Sequence, residues 1–223
     1  MMKSLIVTIF SLLTCATTVA QVSFDVTVAE KKRIVSGAVS YSQTDDVAFA
    51  NALLWAVNEG PARKEEITEC DFVKRQLTMV YNLKRDDEPA YTCRLSIRIA
   101  QGQLMFLVND IKMQGGLKSA FLNFDKLNPE KKPKHQDIIN DFQGLNNKKL
   151  EELISFVNDH KPGITNWKNV CQGKIERGMT TDEVRMVYGK PISTQENGTE
   201  SQYVFSTFVY VFFDNGVVKS FVN

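Results

Sequence analysis

Thr92-Cys93-Arg94-Leu95-Ser96-Ile97-Arg98-Ile99 alternates polar and apolar residues without a break. A period of two places Cys93, Leu95, Ile97 and Ile99 on one face of a strand and the polar residues on the other. One face meets a core and the other meets water. Gln101-Gly102 is a tight turn out of this strand into Gln103 to Met113, a more uniformly apolar strand. On the N-terminal side, Leu77, Met79, Tyr81 and Leu83 alternate with Gln76, Thr78 and Asn82, and Ile67 to Val73 is a weaker strand.

Further out lie a strand and three helical stretches. Ile34 to Tyr41 reads as a first strand and Ser42 to Glu59 as a helix. Ser42 or Thr44 can cap that helix, and Asp45 and Asp46 suit its positive end. Val47, Ala50, Leu54 and Val57 recur at steps of three and four, Phe49, Leu53 and Ala56 widen the stripe, and Gly60-Pro61 stops it. Gln114 to His135 loses periodicity. Gly115-Gly116, Pro129, Pro133 and the lysines 131, 132 and 134, flanked by Glu130 and Asp137, read as a solvated linker-like loop. Asp137 to Phe142 predicts a short helix. Asn147 would cap a second, with Leu150, Leu153, Ile154 and Val157 on one face and Pro162-Gly163 at its end.

The order β-α-β-β-β-β-α is that of an α+β domain over residues 21–160, an antiparallel sheet with helices on one face. In a simple meander Cys70 and Cys93 lie two strands apart. That is about 10 Å, beyond the roughly 7 Å between Cα atoms that a disulfide tolerates.

The 223 residues are 43% hydrophobic and 24% charged, which excludes disordered, collagen-like and disulfide-dense classes. With 27 Lys and Arg against 26 Asp and Glu there is no global pull toward nucleic acid or anionic lipid. Lys3, the apolar run Leu5 to Leu13 and the small-residue site Thr18-Val19-Ala20 read as a secretory signal over residues 1–20, cleaved before Gln21. A buried N-terminal helix is the bland alternative. Leu12-Leu13-Thr14-Cys15 offers a lipoprotein reading in which Cys15 is lipidated, although Thr14 suits it poorly. The expectation is export to the periplasm, with an outer-membrane tether and membrane contact only if Cys15 carries the lipid. Three cysteines then remain, Cys70, Cys93 and Cys171, an odd count that leaves at least one unpaired.

The last fifty residues carry the sharpest motif. Gly178-Met179-Thr180-Thr181-Asp182-Glu183-Val184 has capping-box spacing between Thr180 and Glu183, so a helix begins at Thr181. Gly189 can take a left-handed conformation at its end, and Pro191 prevents continuation. Tyr203 to Ser206, Phe208 to Phe213 and Val217 to Val222 are strand-like, and Asp214-Asn215-Gly216 is a type I′ hairpin signal.

Ile175-x-x-Gly178-Met179-Thr180-x-x-Glu183-Val184, Gly189-x-Pro191 and Val211-x-Phe213-x-Asn215-Gly216-x-Val218 resemble the SmpA/OmlA (BamE-like) family of small bacterial envelope proteins, over about residues 166–223. The resemblance implies an ααβββ module, residues 165–223, used as an accessory in outer-membrane protein assembly or as a protein-binding fold. Its motif residues are structural. Residues 34–160 resemble, more weakly, a domain of unknown function with a TATA-binding-protein-like (TBP-like) fold found in secreted bacterial proteins; without a basic stripe no DNA contact follows from it. The chain departs from a plain BamE-like lipoprotein in its doubtful lipidation signal and its extra N-terminal domain.

Chemistry-bearing patterns are few. His135 lies in the basic loop and His160 at a helix end, each without a nucleophile or ligand motif beside it, and Glu65-Glu66 and Glu151-Glu152 read as solvated pairs. Asn197-Gly198-Thr199 reads as a glycine turn. No phosphate loop, zinc or hydrolase motif occurs, so no catalytic residue, metal or cofactor is expected. Phe208-Val209-Tyr210-Val211-Phe212-Phe213 has no polar alternate position. A small sheet buries one face readily, so Phe208, Tyr210 and Phe212, extended by Tyr203, form the candidate partner surface unless the N-terminal domain covers it. The expected function is a non-enzymatic envelope protein that binds or scaffolds envelope proteins, with no nucleic acid. The alternatives are an inhibitor-like module docking on an envelope enzyme, or a hydrolase with an unrecognised site.

Overall fold

A computed structural model describes residues 23–59, 67–85, 88–114 and 121–222. The predicted signal segment, Cys15, Gly60-Pro61, Glu65-Glu66 and Gly115-Gly116 lie outside them.

Seven strands make one antiparallel sheet: β1 (Thr27–Ala29), β2 (Lys32–Ser40), β3 (Ile67–Asp71), β4 (Gln76–Arg85), β5 (Glu88–Ala100), β6 (Gln103–Gln114) and β7 (Phe121–Asn123). The spatial order is β1-β2-β6-β5-β4-β3, with β7 paired to the far end of β6. The register follows the alternation read from sequence. Leu77 pairs with Ile97 and Ile97 with Phe106, and Met79, Leu95 and Val108 form the next row, all buried. Gln76, Arg98 and Met105, and then Thr78, Ser96 and Leu107, line the opposite face.

Both long helices lie on the apolar face, α1 (Asp45–Glu59) and α2 (Lys134–Asp159). Thr44, not Ser42, caps α1: its hydroxyl accepts from the Val47 N–H at 3.4 Å. Asp45 reaches the β5–β6 turn and accepts from the Gln101 and Gly102 N–H groups. Every residue of α1 from Ala48 to Val57 is buried, not the single stripe predicted. A helix apolar all round is one covered all round, and α1 is covered by the sheet, by α2 and by a further helix, α4 (Thr181–Tyr188).

Two expectations for residues 114–160 are corrected. Phe121–Asn123 is the added strand β7, and a 3-10 turn over Phe124–Lys126 buries Phe124 against Tyr91 and Phe142. Asp125 accepts from the Arg33 N–H at 2.7 Å, so this segment docks on the sheet and the polar turn shrinks to residues 128–133. The two predicted helices are one helix of 26 residues. Asn147 caps nothing; its Oδ1 accepts from the Phe24 N–H at 3.3 Å and its amide reaches Ser23. Asn146, wholly buried, accepts from the Tyr81 hydroxyl. These side chains serve partners distant in sequence, so the helix has no reason to stop there.

The C-terminal part holds α3 (Trp167–Cys171), α4 and four strands, β8 (Ser193–Asn197), β9 (Glu200–Ser206), β10 (Val209–Asp214) and β11 (Val217–Val222), in spatial order β11-β10-β9-β8. The polar, fully exposed β8 is a fourth strand beyond the three expected. Asn215 and Gly216 both have positive φ in the β10–β11 turn, as a type I′ turn requires.

The apolar core is continuous across the two parts. The Trp167 ring lies 5.6 Å from Phe72 and 6.4 Å from Phe49. Asn51 on α1 donates to the carbonyls of Val157 and His160. β3, β4 and β5 are consecutive, so Cys70 and Cys93 stand two strands apart as expected.

Candidate functional site

The capping box is formed and does more than start a helix. Thr180 accepts from the Glu183 N–H, and the Glu183 carboxylate accepts from the Thr180 N–H at 2.8 Å. That carboxylate is completely buried and also accepts from the Thr165 N–H, the Thr165 hydroxyl and the Asn166 N–H. Glu183 therefore ties residues 165 and 166, at the head of α3, to α4. The Gly178 N–H donates to the Val218 carbonyl and the Val218 N–H to Met179, which fastens the motif to β11. Gly189 caps α4 with φ 86°.

The small sheet thus has one face turned toward helices. Tyr203, Val211, Phe213 and Val218 are buried on it. Arg185 of α4 lies over the Tyr203 ring, 5.3 Å from its centre, and donates to its hydroxyl at 3.3 Å. Phe205, on the same side as Tyr203, meets Tyr188 of α4 at 5.4 Å.

The other face is open. Tyr210 pairs with Val204 on one side and Val222 on the other, and Phe212 pairs with Gln202 and Ser220. Directly paired residues in an antiparallel ladder share a face, so Tyr210, Phe212, Val204 and Val222 form one patch. Tyr210, Phe212 and Val204 are half-buried and Val222 is 59% exposed. Phe208 lies in the turn before β10 and is 77% exposed. The exposed Ile192 lies at the same end, donating its N–H to the Val204 carbonyl. Beside Phe212 a hollow of about 440 Å³ is lined by Gln195, Glu196, Gln202, Lys219 and Ser220. On its rim Glu200 accepts from the Lys219 ammonium at 2.8 Å, a hydrogen bond and charge pair that raise the lysine's pKa.

Of the four predicted surface residues, Tyr210 and Phe212 share this face, and Phe208 is exposed in the turn leading into it. Tyr203 does not share it. It pairs with Val211, so it lies on the buried face and is only 6% exposed. Val204 and Val222 take its place. Their signal was the alternation along β9 and β11, which puts Val204 opposite Tyr203 and Val222 beyond Ser220.

The remaining candidates serve structure. His160 stacks on Phe156 and its Nε2 lies 3.3 Å from Asp182, while His135 Nδ1 accepts from the Asn128 N–H. Among the described residues no cluster of three or more His, Cys, Asp or Glu is placed to hold a metal ion, and no helix is long and apolar enough to cross a membrane.

No protein-family model matches the sequence, and neither does any curated protein. Two solved structures are similar in fold. One is a TBP-like protein from Parabacteroides distasonis ATCC 8503, 10% identical with TM-score 0.49, covering 61% of this chain and 99% of that one. The other is a DUF4468 family protein from Bacteroides ovatus ATCC 8483, 9% identical with TM-score 0.48, covering 63% of this chain and 94% of that one. The likeness is one of fold class, which the strand pairing already establishes as α+β with antiparallel sheets.

Proposed function

We propose that this is a non-enzymatic binding or scaffold protein of the bacterial envelope, which holds another protein against the outer face of its C-terminal sheet. The observation that carries the reading is that face. Scattered apolar residues are ordinary on any surface, but Tyr210, Phe212, Val204 and Val222 share one face of paired strands, with the exposed Phe208 in the turn leading into it, and such patches mark protein contacts. Aromatic residues are enriched in such contacts, and Tyr210 adds a polar tip to a large apolar ring.

The envelope compartment rests on the N-terminal signal, and a part in outer-membrane assembly or maintenance rests on the BamE-like motif of residues 175–218. N-terminal sequencing of the envelope-extracted protein should begin at Gln21. Retention of Met1 to Ala20 would reject export by this signal, and a diacylated Cys15 at the start would replace it with a lipoprotein. For binding, the tagged chain from Gln21 is incubated with an envelope extract beside its F208S/Y210S double variant. A protein retained by the first and lost from the second supports the reading. Equal retention by both, or none by either, refutes it.

A further inference from the structure

We propose, resting on the binding role given above to the outer face of the C-terminal sheet, that the partner segment seated there is apolar at one end and basic at the other. The ladder sets out the face, because directly paired residues share it. Tyr210 stands between Val204 and Val222 in an apolar row. Phe212 stands between the polar Gln202 and Ser220 in the next row. Asp214 pairs with Glu200 in the third. Along β10 the face therefore passes from apolar to acidic. Four residues of strand span about 13 Å, which separates the Tyr210 row from the Asp214 row.

The acidic end is short of positive charge. Lys219 donates to Glu200, and the Asp214 charge acts on the same ammonium. Glu196 lines the hollow between this end and Phe212, and Lys219 is the one cation lining it among the described residues. Glu196, Glu200 and Asp214 against Lys219 leave an excess of two negative charges. The Glu200 and Lys219 side chains are 60% and 58% exposed, so an arriving charge can reach them.

The two ends divide the work. Covering Tyr210, Val204 and Val222 removes apolar surface from water, which supplies affinity without direction. Charge complementarity supplies the direction: the acidic end draws a lysine or arginine and repels a carboxylate, which fixes which way the segment lies. A basic side chain about 13 Å beyond the one that covers Tyr210 meets Glu200 and Asp214, a spacing of four residues in an extended segment.

The test uses the chain from Gln21 and two synthetic peptides, with binding read by calorimetry. Both peptides carry leucine and phenylalanine in one half. One has lysines in the other half, and its counterpart has glutamates at the same positions. The lysine peptide should bind about tenfold more tightly, and added salt should shrink that preference. E200Q/D214N should remove the preference with Tm nearly unchanged. K219Q, which frees Glu200, should tighten binding of the lysine peptide, a gain that loss of fold cannot imitate. F208S/Y210S should lose both peptides. Equal binding of the two peptides, a preference that survives E200Q/D214N, or no binding of either overturns the proposal. So does dimerisation of the chain abolished by F208S/Y210S, which would assign the face to a second copy. If the envelope partner is lost from F208S/Y210S but kept by E200Q/D214N, the binding role stands and the basic segment falls.

Discussion

Tyr203 and Tyr210 stand on adjacent strands of one sheet but on opposite faces, because Tyr203 pairs with Val211 and Tyr210 with Val204. Tyr203→Ser removes a buried ring and its contact with Arg185, so it should cost about 3 kcal/mol. Tyr210→Ser should cost about 1 kcal/mol, as for a partly exposed site. Urea unfolding of the two variants measures the difference. Equal losses would put Tyr210 in the core.

Glu183 collects four donors in a site closed to water. Glu183→Gln keeps the shape but turns an amide NH2 toward N–H groups, leaving buried donors unsatisfied. The expected loss is about 1–3 kcal/mol. A change below about 0.5 kcal/mol, within the range of a surface substitution, would show that the carboxylate does not organise the link from Thr165 to α4.

How far the fold was legible depended on whether its cause was local. The strict alternation of Thr92–Ile99 gave the buried face of β5, because the side-chain period of a strand is fixed. Thr180 with Glu183, and Asn215 with Gly216, stated their turns within a few residues. Asn147 misled, since its partner is Phe24, 123 residues away. Polar β8 had no apolar period to announce it. The all-round burial of α1 depends on α2 and α4 packing from further along the chain, with Lys149 of α2 lying over the Trp55 ring. At the candidate face, Tyr203 was misplaced because a run of apolar residues does not show which ones pair across the ladder.

A Cβ on Gly37 would lie 2.6 Å from the Phe24 ring and 2.8 Å from Phe106, two rings already in edge contact at 4.5 Å. Gly37→Ala should destabilise by about 1–3 kcal/mol through overpacking. Combined with Phe24→Ala it should cost less than the sum of the two single changes, because the clash and its source go together. Strict additivity in thermal unfolding would contradict the contact.

Asp45 is a pH-dependent element. The Tyr41 hydroxyl and then the Gly102 N–H hold its carboxyl below the usual carboxylate range. A depressed folded value contributes stability above the unfolded value, about 3.9, which is lost as pH falls through the folded one. Asp45→Asn should therefore lower Tm at pH 7, with the gap to the parent chain narrowing toward pH 3. A gap that widens in acid would reverse the sign.

The central claim is that the open face of the C-terminal sheet is a protein-binding surface. Once the retained envelope protein is identified, its affinity for the parent chain and for Tyr210→Ser is measured by calorimetry, with the Tm of both. The expected result is at least a tenfold weaker Kd, about 1.4 kcal/mol, with the fold retained. An unchanged Kd for a folded Tyr210→Ser chain would contradict the account.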